Sequence, residues 1–489
     1  MIFNSPAFLF VFLPLAFAGY FALMRLRVAV AAKTWLVLAS LVFYGWWNPF
    51  FVPLLAGSIW FNFRLGTALM DAAGTPSGRR WLCLGIAANL LLLGWFKYVA
   101  FAATNINALF GTAIAVPDVS LPLGISFFTF TQIAWLVDSW QGKVRDRSAL
   151  DFTLFVTFFP HLIAGPILHH REMMSQFSSR WTHAVRLRHV LRGLILFSLG
   201  LFKKVVLADT FAIWANAGFD AGVPLDFVTA WSSSLSYTLQ IYLDFSGYCD
   251  MAMGAALLFN IRLPINFDSP YKALDIQDFW RRWHITLSRY LRDYVYVPLG
   301  GNRAGAAATS VNLMATFLLG GLWHGASWMF IVWGALHGAA IVAHRAWKAT
   351  RLSLPNPIAW LLTFAFVDVA WIFFRARSWP DAIHVLHGLI DVDSIRHWPL
   401  DRLPSVDFAW AGSFYDPLLA VLPATVVARI VCLVALAAGL AMMSRPNSLQ
   451  LAVTQSRSAR GTVAGLLAFG VAVLMMLAGR QSTFLYFEF

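Results

Sequence analysis

Two histidines carry the residue chemistry most worth following in this chain. His324 lies in Gly320-Gly321-Leu322-Trp323-His324-Gly325-Ala326-Ser327, inside an apolar stretch running roughly from Val311 to Ala343. An ionisable side chain at membrane depth is expensive, so by default it marks a functional position. Histidine titrates near neutrality and is the commonest general base. A neutral imidazole in a desolvated pocket can take the proton of a hydroxyl as that oxygen attacks an acyl carbonyl. Gly320, Gly321 and Gly325 remove side-chain bulk around it, letting a substrate or another backbone come close. Trp323 and Trp328 would supply apolar walls. The residues alone leave a second reading open: a core histidine hydrogen-bonded to a neighbouring helix, with the glycines serving helix packing.

His284 stands forty residues upstream, in a run from Asp278 to Tyr294 where cations alternate with aromatics. Read as one helix, Trp280, Trp283 and Leu287 share a face that Leu291 continues, while Arg282 and Arg289 lie elsewhere. Such a helix suits the cytoplasmic membrane surface. Its arginines could hold the phosphates of an acyl carrier such as coenzyme A. They could equally hold the helix to anionic lipid.

Asp244 and Asp250 are costly in an apolar span. They could orient His284 or His324, or pair with arginines of the basic tract; a structural salt bridge is the simpler reading, as it is for Asp138. Phe158-Phe159-Pro160-His161-Leu162-Ile163-Ala164-Gly165-Pro166 is bracketed by prolines. Irregular backbone of this kind is tolerated at membrane depth only where it is buried in protein or lines a cavity. His161 there reads as structural. His337 and His344 share a helix face but lack acidic company, so they read as polar helix-end residues rather than a metal pair. Cys83, Cys249 and Cys432 make neither a disulfide framework nor a metal-ligand spacing. No glycine-rich phosphate loop or Ser-His-Asp order is present, and no metal is expected.

The elements that position these residues are membrane helices. Of 489 residues, 59% are hydrophobic and 12% charged, whereas soluble proteins carry about 25% charged residues. The fold class is therefore all-α and polytopic. The net charge of +13 sits in short loops between apolar runs. That placement indicates the positive-inside rule and an anionic leaflet, not nucleic acid. Runs approaching the roughly 20 residues of a span occur at about 7–24, 34–49, 51–69, 81–101, 121–140, 187–211, 227–259, 311–343 (one span or two short helices), 357–374, 415–441 and 461–479. The count is about 11 transmembrane helices, with 151–168 re-entrant or interfacial. The N-terminal segment lacks the positive region of a cleaved signal peptide, so the first run reads as a retained helix.

Loop charges give an orientation. Arg25, Arg27 and Lys33 follow the first span, Arg64, Arg79 and Arg80 the third, and Lys143, Arg145 and Arg147 the fifth. The intervening stretches, Trp46–Pro53 and Ala102–Ser120, have no Lys or Arg. The N-terminus therefore falls outside the cytoplasm. The tract 262–303 holds seven Lys/Arg against four Asp and reads as cytoplasmic; 375–414, with four Arg and five Asp, reads as external. The span 227–259 would be roughly 50 Å long as a helix, so it must tilt strongly or break, with Gly247 the expected break.

Taken together these motifs resemble the membrane-bound O-acyltransferases, specifically the bacterial branch of alginate O-acetyltransferase membrane subunits. The resemblance rests on Phe3-Asn4-Ser5-Pro6, Leu121-Pro122-Leu123-Gly124-Ile125-Ser126-Phe127, Phe158–Pro166, Tyr242–Tyr248 with Asp250, Asp278–Tyr294, Pro298-Leu299-Gly300-Gly301-Asn302-Arg303 and Gly321–Trp328. It covers essentially the whole chain. One departure is His161, where the family pattern has glutamine.

The resemblance implies one transmembrane domain, with N-terminal helices 1–140, a catalytic core at about 151–346 and C-terminal helices 357–489. It implies that His324 is the catalytic histidine and His284 a second important one, with Trp323, Asp244, Asp250 and Asp278 in support. The donor it implies is cytoplasmic acetyl-CoA, a substrate rather than a resident cofactor, with its phosphates near Lys272, Arg281, Arg282 and Arg292. The acceptor would be an exported polysaccharide, alginate in this branch. Cellulose, peptidoglycan and teichoic acid D-alanylation are alternatives, and a non-enzymatic export scaffold is a reading of a different class. The implied location is the bacterial inner membrane with a periplasmic N-terminus. The implied partners are membrane lipids and a periplasmic or membrane-anchored acetyltransferase of hydrolase-like fold.

Overall fold

A computed structural model describes residues 1–397, 424–478 and 484–485. It is helical, with no strand among the described residues. Among the described residues six helices are long and apolar enough to cross a membrane: Phe8–Arg25, Pro76–Lys97, Gly305–His324, Trp328–Ala349, Asn356–Arg375 and Ala459–Leu477. The pair Ile430–Met443 and Ser448–Gln455, bent by 72°, adds a seventh if counted as one span. The eleven expected from apolar runs are not confirmed by this count, which rests on helix length and composition. Ala29–Gly45 has 17 residues and Ile125–Trp140 has 16. The run 187–211 is divided into Leu187–Phe202, a π turn at Lys203–Ala208, and Asp209–Phe219. Residues 398–414 of the 375–414 loop and the start of the 415–441 run lie outside the described residues.

The chain forms two compact units, each assembled from separated stretches. The first comprises Met1–Leu199, Tyr248–Ile265 and Ala452–Leu466. Its centre is a cluster of phenylalanines: Phe8 packs on Phe3, Phe12, Phe43, Phe159 and Phe197 with ring centroids 4.9–6.1 Å apart. The proline-bracketed stretch is irregular as its helix breakers imply. Helix Ala149–Thr157 gives way to a single turn, Phe159–Leu162, and then to non-helical backbone. There His161 Nε2 is 2.7 Å from the Phe155 carbonyl, a structural arrangement.

The second unit comprises Gly200–Gly247, Asn266–Leu451 and Leu467–Phe489. Its site-bearing helices are α1 (Phe227–Leu258, which also supplies residues to the first unit), α2 (Ile276–Arg282), α3 (Ile285–Leu291), α4 (Gly305–His324), α5 (Trp328–Ala349) and α6 (Asn356–Arg375). Helix α1 runs unbroken for 32 residues, so the expected break at Gly247 is absent. Instead that glycine admits a close neighbour: a Cβ there would lie 2.8 Å from the Gly200 carbonyl.

The 311–343 stretch is neither one span nor two short helices. It belongs to two full-length helices, α4 and α5, joined at Gly325-Ala326-Ser327. Ser327 caps α5, its hydroxyl accepting from the Met329 N–H at 3.2 Å. The two backbones touch. A Cβ at Gly321 would lie 2.3 Å from the Phe330 carbonyl, and one at Gly334 2.5 Å from that of Phe317. Small residues allow this approach, the usual device for packing helices in lipid.

Candidate active site

His324 is the last residue of α4, at the tip of this hairpin. It is 4% exposed and its ring is enclosed edge-to-face by Trp323, Trp333 and Phe374, at centroid distances of 5.0, 5.1 and 5.1 Å. The remaining side opens on a cavity of about 810 Å³ within the second unit. Gly320, one helical turn before His324 on the same face, lines it too. Gly321 and Gly325 do not: Gly321 serves the hairpin contact, and Gly325 lies against the Phe330 ring. Trp328 is 53% exposed and is not a wall; Trp280 and Trp333 take that place.

The cavity is polarised along its length. Around His324 it is lined by Leu291, Phe317, Gly320 and Trp333. Farther along α5 it meets His344, Arg345 and Lys348, and Arg281, Arg289 and Arg292 from α2, α3 and the turn after it line it too. Arg345 and Lys348 are exposed and mark the α5 end as a mouth; Arg281 and Arg292 are also exposed. Trp333 and Lys348 are fifteen residues apart on one helix, roughly 22 Å at the usual rise. Two contacts tie the mouth of α5 to α2. Lys348 Nζ donates to Gln277 Oε1 at 3.2 Å, and His344 Nε2 lies 3.4 Å from Asp275 Oδ1. An elongated anion with an apolar, reactive tip fits this distribution of charge.

The expected basic residues divide. Arg281 and Arg292 line the cavity; Lys272 and Arg282 do not. Lys272 donates to the Arg445 carbonyl, and Arg282 pairs with Asp278 at 2.9 Å. Arg289, another arginine of the same run, lines it as well, as do two residues not singled out in sequence, Arg345 and Lys348. The last two follow an apolar span and read in sequence as ordinary helix-end cations.

His284 does not reach the cavity wall. It is fully buried, with its ring 4.8 Å from Phe245 and 6.2 Å from Trp323. The continuous amphipathic helix expected here is broken at this residue, whose φ of 41° is left-handed. Asn266 makes the break possible. Its carbonyl accepts from the Ile285 N–H, and its side-chain oxygen accepts from the N–H and hydroxyl of Thr286 at 3.1 and 2.7 Å, capping α3. The break turns Trp283 and Leu287 into the core, each 1% exposed, so this segment is no surface helix. Burial pushes the His284 imidazole down to about 3, leaving it neutral.

Asp244 is a salt-bridge residue. Lys204 Nζ is 2.7 Å from both Asp244 Oδ1 and Asp209 Oδ1, and the Leu485 N–H donates to Asp244 Oδ2 at 3.1 Å. Asp250 lies buried in the first unit. His337 is no helix-end residue. It is fully buried, and its Nδ1 accepts from Trp280 Nε1 at 3.3 Å. Asp368, unremarked in the sequence, accepts from Ser234 and Thr238 at 2.9 and 2.6 Å. No group of His, Cys, Asp and Glu that could hold a metal occurs among the described residues.

A family model described as MBOAT, membrane-bound O-acyltransferase family, matches residues 60–375. The chain belongs to that family. This membrane-bound O-acyltransferase is 43% identical to a peptidoglycan O-acetyltransferase of Helicobacter pylori, over 100% of this chain and 98% of that protein. It is 42% identical to a probable alginate O-acetylase of Pseudomonas putida, over 82% of each chain. It is 27% identical to a teichoic acid D-alanyltransferase of Bacillus subtilis, over 52% of this chain and 69% of that one. The protein is thus a multi-pass membrane acyltransferase.

Proposed function

We propose that this acyltransferase moves acetyl groups from cytoplasmic acetyl-CoA to hydroxyls of an exported envelope glycan. The observation that carries the reading is a buried His324 lining a cavity that five cations also line, four of them exposed. The phosphates of the donor bind Arg281, Arg289, Arg292, Arg345 and Lys348, and the thioester reaches His324. The imidazole takes the acceptor hydroxyl proton as that oxygen attacks the acetyl carbonyl. Collapse of the tetrahedral intermediate breaks the C–S bond, and the departing thiolate takes the proton back from the imidazolium. His284, behind Trp323 and off the cavity wall, positions that indole rather than polarising the thioester.

The positive-inside pattern supports an inner-membrane location with the N-terminus in the periplasm. The end-to-end match with the Helicobacter pylori protein favours peptidoglycan as the polymer; the shorter matches to probable alginate O-acetylases keep alginate as the second reading. A periplasmic or membrane-anchored acetyltransferase of hydrolase-like fold is the proposed partner; where it takes part, its own hydroxyl is the acceptor at His324 and it passes the acetyl group on to the polymer. The test is acetyl analysis of peptidoglycan and exopolysaccharide from a deletion strain complemented with wild type or His324→Ala. Wild type is expected to restore acetyl esters and the variant, at equal membrane abundance, to restore none. Full acetylation by the variant overturns the mechanism.

A further inference from the structure

His337 stands off the cavity wall, and the chemistry proposed above does not use it. It is fully buried near the middle of α5, a costly place for an imidazole that bonds to nothing. Its partner is Trp280 of α2. The indole N–H donates to His337 Nδ1 at 3.3 Å, with the rings edge-on and their centroids 5.1 Å apart. Because Nδ1 accepts, the neutral ring carries its proton on Nε2, and that atom is buried with no partner among the described residues. The imidazole thus satisfies the indole and leaves its own second nitrogen unsatisfied.

Trp280 and Trp333 both line the cavity, but they are held differently. Trp333 is buried, 4.8 Å from the His337 ring, and its N–H has no partner among the described residues, so packing alone fixes it. Trp280 is only half-buried, and the bond to His337 sets the direction of its ring. The same bond joins two helices. α2 meets α5 through His337 in the interior and through Gln277 and Lys348 at the exposed surface. Arg281, next to Trp280 in sequence, lines the cavity as well, so the segment held by His337 is the one that presents this cation.

We propose that His337 is a positioning residue for donor binding: through Nδ1 it holds the Trp280 indole, and with it the α2 wall of the cavity. The inference rests on the reading of this cavity as the acetyl-CoA site and adds what keeps one wall of that site in place. Without the acceptor the indole N–H is stranded, and the ring must turn toward water to recover a partner.

The test measures kcat and KM for acetyl-CoA in purified full-length protein. His337→Phe keeps a ring and removes the acceptor; it should raise KM about tenfold with kcat little changed. His337→Asn places an amide oxygen near the position of Nδ1 and should return KM to within about threefold of wild type. Trp280→Phe removes the donor and should itself raise KM. In that background His337→Phe should change KM by less than about twofold, because the bond is already gone. A histidine that only filled the core would act independently of the indole N–H. Wild-type KM in His337→Phe, an equal rise in His337→Asn, or a full further rise in the Trp280→Phe background overturns the proposal. If His337→Phe lacks a folded size-exclusion peak, His337→Gln, whose acceptor lies one bond farther out, replaces it with the same expectations. No turnover of acetyl-CoA by folded wild type overturns instead the donor reading on which the proposal rests.

Discussion

Gly321→Ala isolates the contact that sets the position of His324. The added Cβ would meet the Phe330 carbonyl at 2.3 Å, against about 3.4 Å for ordinary contact. The obstacle is helix backbone, which cannot swing aside like a side chain. Relief requires α4 and α5 to separate by roughly 1 Å at this level, and a misplacement of that size commonly costs about 100-fold in rate. His324 is three residues away and moves with the helix. Overpacking should also lower stability by about 1–3 kcal/mol. The assay is acetyl-CoA turnover by purified protein in detergent, with a thermal melt on the same sample. Gly57→Ala is the control, because a Cβ there meets nothing within 4 Å. The expected result is a large fall in kcat for Gly321→Ala and wild-type activity for Gly57→Ala. Wild-type kcat in folded Gly321→Ala would refute the claim that backbone contact places the histidine.

Three further outcomes follow from the described contacts. Lys204→Met strips the buried Asp244 and Asp209 of their shared cation, which should cost about 3–5 kcal/mol and show as loss of folded protein on fluorescence-detected size exclusion; normal yield and melting would contradict this. Arg345→Ala combined with Lys348→Ala should raise KM for acetyl-CoA about tenfold with kcat little changed, an effect that shrinks as salt rises; an unchanged KM removes these residues from the donor site. His284 stays neutral in the fold, its imidazole held at about 3 by burial outside any spanning helix, while the unfolded chain takes up a proton below about pH 6.5. The unfolded state then binds more protons, so stability falls as pH drops from about 6.5 toward 3, by at most about 1.4 kcal/mol per unit. His284→Gln should melt with a shallower pH dependence than wild type between pH 7.5 and 5.5, and equal slopes would refute it.

The polytopic class was legible because composition and loop charge report directly on a lipid solvent. His324 stood out because an ionisable side chain in a long apolar run has few structural excuses, and the structure adds that it lines a cavity. The number of spans was less so. The count of about eleven is not confirmed: the run 187–219 is one helical segment with a π turn at Lys203–Ala208, and Ile125–Trp140 has 16 residues. The break at His284 was invisible to a helical periodicity that Trp280, Trp283 and Leu287 satisfy. It depends on Asn266, eighteen residues earlier in sequence, reaching in to cap a second helix. The only local signal was an asparagine in a proline-flanked run, Pro264-Ile265-Asn266. Arg345 and Lys348 escaped notice for a related reason. Their relation to His324 comes from a hairpin turn at Gly325-Ala326-Ser327 that apolar continuity concealed. Asp244 was noticed, but spacing along one helix could not reveal its lysine on another.

That lysine has a consequence for how the chain is made. Lys204 and Asp209 are five residues apart, and the π turn that contains Lys204 brings them to 2.7 Å within one continuous segment. The cation is thus paired within its own segment before any later helix reaches it. Helix α1, synthesised afterwards, carries Asp244 in its buried face. Docking of the later helix is in this way coupled to the earlier one through Lys204. Asp209→Asn should therefore appear first as a biogenesis defect, with chains degraded during assembly, before any property of the finished enzyme changes.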